Sequence, residues 1–119
     1  MQYNNLGSTD LQVSKLCLGT MTFGEQNTEA EGHEQLNYAI DNGINFIDTA
    51  ELYAIPSDKK TQGETERIIG TWLKDRTDRD QIVLATKIVG PAPNLLYIRD
   101  PLDFSAASIE RALEDSMKR

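Results

Sequence analysis

The sequence has very few of the residues that build disulfides and metal sites. It contains one cysteine, Cys17, and one histidine, His33. A single cysteine excludes an internal disulfide, and its apolar neighbours Leu16 and Leu18 favour a buried thiol in a strand. Because no other histidine or cysteine lies at ligand spacing from His33, we predict no metal site and interpret His33 as an exposed helix residue.

Segments typical of nucleic-acid or membrane binding are also missing. The net charge is −7 and no basic run is longer than Lys59-Lys60, whereas phosphate contacts require clustered lysine and arginine. No stretch approaches the roughly 18 apolar residues that a membrane span needs, and the first residues lack the pattern of a signal peptide. We therefore expect a cytoplasmic protein without a nucleic-acid or membrane partner, and the oligomeric state stays open.

What is present is an alternation of strand and helix patterns in a chain of 119 residues, the size of one domain. Two short runs on either side of residues 7–10 predict a β-hairpin within residues 1–14. Compact apolar runs at 15–20, 44–48 and 81–87 then predict three buried strands.

Each of these strands is followed by a helical pattern. Thr28 and Glu31 have the spacing of a capping box, in which two side chains satisfy free backbone N–H groups of the first turn, and Thr61 and Glu64 repeat this spacing. The third helix begins near Ser105. Apolar residues at helical spacing indicate the packing face of each helix. They are Leu36, Ala39 and Ile40 in the first helix, Ile68, Ile69, Trp72 and Leu73 in the second, and Ile109, Ala112, Leu113 and Met117 in the third.

The order of elements restricts the fold class. Strands alternating with helices imply parallel pairing through right-handed crossovers, as in a doubly wound sheet or a barrel. A dinucleotide-binding doubly wound sheet shows G-x-G-x-x-G after its first strand, but residues 19–24 have a different spacing, Gly-Thr-Met-Thr-Phe-Gly. The strands end at Gly19-Thr20, Asp48 and Lys87, and such strand ends face the active-site mouth of a (β/α)8 barrel. We therefore predict an α/β fold, an incomplete (β/α)8 TIM barrel.

Three polar residues indicate chemistry at that mouth. Asp48 and Lys87 end strands that a barrel sets side by side, about 5 Å apart, and Tyr53 follows Asp48 after a four-residue loop. Taken singly, each also has a structural explanation, as a turn carboxylate, a solvated lysine or a loop aromatic. Considered together, they form a lysine that is held by a carboxylate beside a phenol. A cation in that place favours the phenolate and so lowers the pKa of the phenol from about 10. Such a phenol can give a proton to a carbonyl oxygen while hydride arrives at carbon.

Several segments closely resemble the aldo-keto reductase family. The first three active-site segments of that family are similar to residues 18–24 (Leu-Gly-Thr-Met-Thr-Phe-Gly), 43–53 (Gly-Ile-Asn-Phe-Ile-Asp-Thr-Ala-Glu-Leu-Tyr) and 85–87 (Ala-Thr-Lys). The hairpin resembles the one that closes the bottom of the family's barrel, and residues 109–119 resemble its third barrel helix. Within the family, Thr-Gln-Gly-Glu-Thr-Glu at 61–66 looks most like Tas-type members.

The resemblance implies an NADPH-dependent oxidoreductase that reduces a small aldehyde or ketone by hydride transfer. It makes Tyr53 the general acid and Lys87 the group that lowers the phenol pKa. Asp48 would hold Lys87 and help to position the nicotinamide ribose.

The resemblance also implies where NADP(H) binds. Gly19, Thr20 and Met21 would lie against the nicotinamide end of the cofactor together with Asp48, and the loop 54–62 would rim the substrate pocket. For Met21 a place in the core is an equally good interpretation. Trp72 is interpreted as a packing residue rather than a substrate contact.

The chain departs from the family in its length. Barrels of this type have eight strands and about 250 residues, and three strands are predicted here. The family's catalytic histidine and its phosphate-binding segments are expected beyond Arg119, and His33, on a helix before Asp48, does not replace that histidine. The concave face of the sheet, lined by residues such as Leu18 and Phe46, is expected to need the missing strands.

The predicted organisation is one domain, the N-terminal part of a barrel, in which a hairpin at 1–14 precedes βα units at 15–43, 44–75 and 81–119. The chain is expected to be an incomplete record of a longer protein or a truncated gene product. Two alternatives to a carbonyl reductase stay open: a non-catalytic, NADP-binding regulatory subunit of the same fold, as in channel-associated relatives, and an inactive fragment. Substrate identity, and NADP rather than NAD, do not follow from these residues.

Overall fold

A computed structural model describes all residues from 1 to 119 and contains the predicted order of elements. The strands are β1 (Tyr3–Asn5), β2 (Gln12–Ser14), β3 (Cys17–Gly19), β4 (Phe46–Asp48) and β5 (Val83–Ala85), and the helices are α1 (Glu29–Asp41), α2 (Glu64–Leu73) and α3 (Ala106–Lys118). None of the three helices has the length and apolar character that crossing a membrane requires.

The sheet that carries the predicted site is parallel, with the strand order β3-β4-β5. Its middle row consists of Leu18, Ile47 and Leu84, which pair across the three strands. Because successive side chains of a strand point to opposite faces, a paired row lies on one face of the sheet. This row faces the helices.

The core lies between that face and the helices. Ile47 is fully buried, and Leu18 and Leu84 pack against the same cluster. The other buried members of the cluster are Phe23, Leu36, Ile68, Ile69, Trp72 and Ile82. Leu36, Ile68 and Ile69 are buried, which confirms the predicted packing faces of α1 and α2 at these residues. Removing such a side chain from water stabilises the fold by about 1.5–3 kcal/mol.

The other face of the sheet differs from the prediction. Leu18 pairs with Ile47, so Phe46 and Cys17 point to the opposite side. The expectation that Leu18 and Phe46 share the concave face is therefore wrong. Cys17 is exposed rather than buried, because its side of the sheet is turned away from the helices.

The predicted hairpin is confirmed, and it lies at the amino ends of the parallel strands. β1 and β2 pair antiparallel, with Tyr3 opposite Ser14. Asn45, just before β4, accepts a hydrogen bond from the Ser14 N–H (2.8 Å) and donates to the Gln12 carbonyl (2.9 Å) and the Gln81 carbonyl (3.3 Å). The hairpin thus covers the end of the sheet that is opposite Asp48.

Of the two predicted capping boxes, only the first forms. Thr28 Oγ1 accepts from the Glu31 N–H (3.3 Å), and the Glu31 carboxylate accepts from the Thr28 N–H (2.8 Å). α2 instead begins after Gly63, which has φ 80°, and the Thr61 hydroxyl is buried without a partner. The Gly63 N–H donates to the carbonyl of Tyr53 (2.7 Å). The start of α2 is therefore set by a left-handed turn that favours glycine.

The prediction for α3 is right in position, but of its predicted packing face only Ala112 is buried. Its buried residues are Ser108 and Ala112. The apolar residues Ile109, Leu113 and Met117 are exposed. α3 turns its small side chains inward because it packs against buried charged groups, such as the Arg99 guanidinium that bonds to Ser108, rather than against an apolar surface.

The two remaining aromatic residues singled out in the sequence have structural places. Trp72 packs in the core and donates from Nε1 to Asn37 Oδ1 (2.8 Å) on α1, and the Arg76 guanidinium lies 4.4 Å from its ring centre. His33 lies on α1 as predicted, but it is half-buried, since its Nε2 lies 3.0 Å from the Ile68 carbonyl oxygen.

Candidate active site

The carboxyl ends of the three parallel strands meet at one edge of the sheet. Asp48 pairs with Gly19 on one side and with Ala85 on the other. Beyond this row, the Asp48 carbonyl accepts from the Thr20 N–H (3.2 Å) and hydroxyl (2.9 Å), and the Ala85 carbonyl accepts from the Thr49 N–H (2.9 Å). These bonds fix the backbone on both sides of the Asp48 carboxylate.

Lys87 reaches from the end of β5 across to β4. Its Nζ donates to Asp48 Oδ2 at 2.6 Å and to the Thr49 carbonyl at 2.7 Å. Burial lowers the pKa of Lys87, but the hydrogen bond to Asp48 and the charges of Asp48 and Tyr53 outweigh it, so the pKa lies above its usual value. Lys87 therefore remains an ammonium group at neutral pH.

The Asp48–Lys87 pair is partly open to solvent. The side chains of Lys87 and Asp48 are 48% and 39% exposed. Both follow or end strands on the side of the sheet that the helices do not cover. The pair is accordingly accessible from the open edge.

Tyr53 returns over the same edge. The centre of its ring lies 5.0 Å from Lys87 Nζ. Its N–H donates to the Ala50 carbonyl (3.1 Å), which closes a tight turn, and its carbonyl accepts from the Gly63 N–H (2.7 Å) at the start of α2. The predicted convergence of Asp48, Tyr53 and Lys87 is confirmed, while their chemical roles stay predictions.

The residues predicted to contact nicotinamide differ in accessibility. Gly19 is exposed, and a side chain at its position would meet no atom within 4 Å. Met21 is 48% exposed and lies outside the hydrophobic core cluster. Thr20 is fully buried behind Asp48, with its hydroxyl on the Asp48 carbonyl. Open surface is thus available at Gly19 and Met21, and Thr20 supports the backbone behind them.

The loop 54–62 lies beside this surface. The Ile55 N–H donates to the Met21 carbonyl (2.8 Å), and the side-chain amide of Gln26 donates to the Ile55 carbonyl (3.1 Å). The loop therefore borders the edge where Met21 is exposed. Its contact with a substrate stays a prediction.

A buried ion pair directly behind the site was not predicted. Arg99 and Glu51 have side chains that are 2% and 1% exposed, and Arg99 Nη1 lies 3.0 Å from Glu51 Oε2. The position of the charged Glu51 between the apolar residues Ala50 and Leu52 was a signal in the sequence that this carboxylate is buried and paired. No pattern in the sequence points to Arg99, because the two residues are 48 positions apart.

Comparison with known proteins identifies the family to which the chain is similar. The family model for the aldo/keto reductase family matches residues 15–119. Protein tas of Escherichia coli is 47% identical over 120 residues, which span 100% of the chain and 35% of that protein. A probable voltage-gated potassium channel subunit beta of Arabidopsis thaliana is 41% identical over 97 residues, spanning 79% of the chain and 28% of that protein.

Solved structures give the same result. An aldo-keto reductase from Bacillus halodurans, determined in its holo form, matches with a TM-score of 0.76 and 33% identity, over 99% of the chain and 36% of that structure. The α/β fold of the chain thus corresponds to part of the TIM barrel of aldo-keto reductases. The chain spans about a third of the length of these relatives, 35% in the case of tas.

Proposed function

The chain belongs to the aldo/keto reductase family, and on that premise we propose that the complete protein is a cytoplasmic, NADPH-dependent oxidoreductase that reduces a small aldehyde or ketone to an alcohol. One observation carries the proposal. Lys87 Nζ lies 2.6 Å from Asp48 Oδ2 and 5.0 Å from the ring centre of Tyr53, at the carboxyl edge of a parallel sheet. A phenol, an ammonium and a carboxylate in this arrangement can act together as a proton donor.

In the proposed reaction, Tyr53 donates its phenolic proton to the carbonyl oxygen of the substrate while the carbonyl carbon accepts a hydride. The phenolate that remains lies beside the ammonium of Lys87, which stabilises its charge. Asp48 and the Thr49 carbonyl hold that ammonium at 2.6 and 2.7 Å. Lys87 is thereby kept near the phenol rather than free in solvent.

NADPH, when bound, supplies the hydride. The open surface suits the nicotinamide and ribose end of this cofactor, since Gly19 leaves space, Met21 offers an apolar contact and the Asp48 carboxylate can accept from a hydroxyl. Lys87 is bonded to Asp48 and Thr49, so it is not free to bind a phosphate. We therefore assign only the nicotinamide end of the cofactor to this chain.

We further propose that the chain forms the first three βα units of one (β/α)8 barrel, as a hairpin at 1–14 and units at 15–43, 44–75 and 81–119. The parallel strand order and the placing of the helices on one face support this assignment. It predicts that the 119-residue chain alone does not bind NADPH tightly. Quenching of NADPH fluorescence measures this, and micromolar affinity of the chain alone would contradict the assignment of the phosphates to the rest of the barrel.

The replacement Tyr53→Phe in the complete protein tests the mechanism. It removes the phenolic proton, and we expect kcat for NADPH-dependent reduction of a panel of aldehydes to fall by about 10²- to 10⁴-fold. The affinity for NADPH should not change, because the cofactor contacts are elsewhere. Tyr38→Phe, on the exposed side of α1, is the matched control and should retain full activity. A Tyr53→Phe protein as active as the wild type would rule out Tyr53 as the acid.

A second candidate function is a regulatory subunit of the same fold that binds NADP without turnover. The specific observation in its favour is the 41% identity to a probable potassium channel subunit beta. A complete protein that binds NADPH but reduces none of the carbonyl compounds tested would favour this alternative. Turnover that depends on Tyr53 would favour the reductase.

A further inference from the structure

The most deeply buried charges of the chain lie behind the loop that carries Tyr53. Glu51 and Arg99 have side chains that are 1% and 2% exposed. The carboxylate and the guanidinium make three contacts: Nη1 lies 3.0 Å from Oε2 and 3.2 Å from Oε1, and Nη2 lies 3.2 Å from Oε1. Two nitrogens of the planar guanidinium therefore bind one carboxylate, and this geometry fixes the relative orientation of the two groups as well as their distance.

Glu51 connects the turn before Tyr53 with the segment after Lys87. Its backbone N–H donates to the carbonyl of Lys87 (3.1 Å), and its Oε1 accepts from the N–H of Val89 (2.5 Å). Glu51 lies two residues before Tyr53, and Val89 lies two residues after Lys87. Glu51 thus binds the backbone at Lys87 and two residues after it to the turn that presents the phenol.

Arg99 holds Glu51 from the far side. Besides binding the carboxylate, it donates from Nη2 to the Val89 carbonyl (3.2 Å) and from Nε to Ser108 Oγ on α3 (2.9 Å). Arg99 and Glu51 therefore bind both the N–H and the carbonyl of Val89. The segment that follows Lys87 is held at its backbone by a buried charged group anchored to a helix.

We propose that the Glu51–Arg99 pair is a positioning pair, which sets the separation of the Tyr53 phenol and the Lys87 ammonium; this rests on the proposed function. An apolar pair of similar volume would avoid the cost of removing two charges from water and is often at least as stable. An apolar pair would not bind Val89 through its backbone. The two charges are therefore retained because they fix the positions of the groups at the site, which begins two residues after Glu51.

The test compares Glu51→Gln and Arg99→Met in the complete protein with the wild type. Glu51→Gln keeps the shape of the side chain and an acceptor for Val89 but loses the charge that Arg99 binds. Misplacement of a reacting group by about 1 Å costs up to about 10²-fold in rate, so we expect kcat for aldehyde reduction to fall about 10- to 100-fold. KM and the dissociation constant for NADPH should stay within about twofold, because neither residue is on the open surface.

Three further variants separate an effect on position from an effect on stability. Leu36→Ala removes a fully buried core side chain of α1 that takes no part in the Glu51–Arg99 contacts, and it should lower Tm while leaving kcat unchanged. The double variant Glu51→Gln/Arg99→Gln removes both charges of the pair and leaves neither one unpaired, so it should fold even if a single variant does not, and its kcat should still be low. Arg99→Lys keeps the charge but not the two-pronged contact and should recover only part of the rate.

The outcomes distinguish this inference from the proposed function. If Tyr53→Phe abolishes turnover but Glu51→Gln, Arg99→Met and the double variant keep kcat within about twofold of the wild type, only the positioning inference is wrong. It is also wrong if kcat falls in step with Tm in every variant, Leu36→Ala included. If Tyr53→Phe is fully active, the proposed mechanism itself is wrong.

Discussion

Two carboxylates three residues apart, Asp48 and Glu51, each hold a cation from a distant part of the chain, and they do so in opposite surroundings. The Asp48–Lys87 pair is 39% and 48% exposed, whereas the Glu51–Arg99 pair is 1% and 2% exposed. Both have short contacts, at 2.6 and 3.0 Å. Distance alone therefore does not distinguish a pair that can react from a pair that supports it.

The difference in burial has a definite energetic meaning. An exposed ion pair contributes about 0–1 kcal/mol to folding, since water and salt screen it. Removing one partner of a buried pair costs about 3–5 kcal/mol, because the other charge is left without water or a partner. The segment from Asp48 to Tyr53 thus combines a charge that is open to solvent with one that is buried. We expect activity to depend directly on the first pair and stability on the second.

The largest expected effect is on turnover. Lys87→Met in the complete protein removes the ammonium beside Tyr53, and kcat for aldehyde reduction should fall by about 10²- to 10⁴-fold, while the urea midpoint changes little. Lys118→Met, which breaks another exposed pair, Lys118–Asp115, is the control and should leave kcat unaltered. A Lys87→Met protein with normal kcat would show that the Asp48–Lys87 pair takes no part in the reaction.

The next effect is on the free energy of unfolding. Glu51→Gln leaves the Arg99 guanidinium buried without a counter-charge and should cost about 3–5 kcal/mol. Asp48→Asn should cost no more than about 1 kcal/mol. Urea unfolding of both variants measures the contrast directly. Equal losses in the two variants would show that burial does not separate the pairs.

This contrast was only half visible in the sequence. The convergence of Asp48, Tyr53 and Lys87 could be predicted, because each residue follows an apolar run or a short loop after one, and the ends of parallel strands meet. The Glu51–Arg99 pair could not, because it joins two loops 48 positions apart. Local patterns report what one segment does, and this pair depends on how two segments are brought together.

The same limit explains the smaller errors. Leu18 was placed on the wrong face because the sequence of one strand does not determine its pairing register with the next. A shift of that register by one residue exchanges the two faces of the sheet. The spacing of Thr61 and Glu64 matched a capping box, yet the bond from the Gly63 N–H to the Tyr53 carbonyl imposes a different start on α2. In both cases a contact between distant segments overrides a correct local pattern.

Removing both buried charges at once sharpens the comparison further. Glu51→Met/Arg99→Met abolishes the pair without leaving an unpaired ion, so its loss of unfolding free energy should be no more than about 1–2 kcal/mol, well below that of Glu51→Gln. Urea unfolding provides the measurement, and kcat should remain low because Val89 is no longer held. A double variant less stable than either single variant would mean that the charges stabilise the fold on balance.

The smallest expected effect is the pH dependence of the open pair. Burial lowers the pKa of Lys87, but its bond to Asp48 raises it more, so the folded value lies above the usual one. Above about pH 10.4 the unfolded chain loses this proton while the folded chain still holds it, and the stabilisation therefore decreases as pH rises. The difference in unfolding free energy between wild type and Lys87→Met, at most about 1 kcal/mol, should be constant from neutral pH to about pH 9 and shrink above about pH 10.4. Urea midpoints across this range test the sign, with Lys118→Met as the reference for a more exposed pair; a difference that grows with pH would mean that Asp48 does not hold the ammonium in the folded protein.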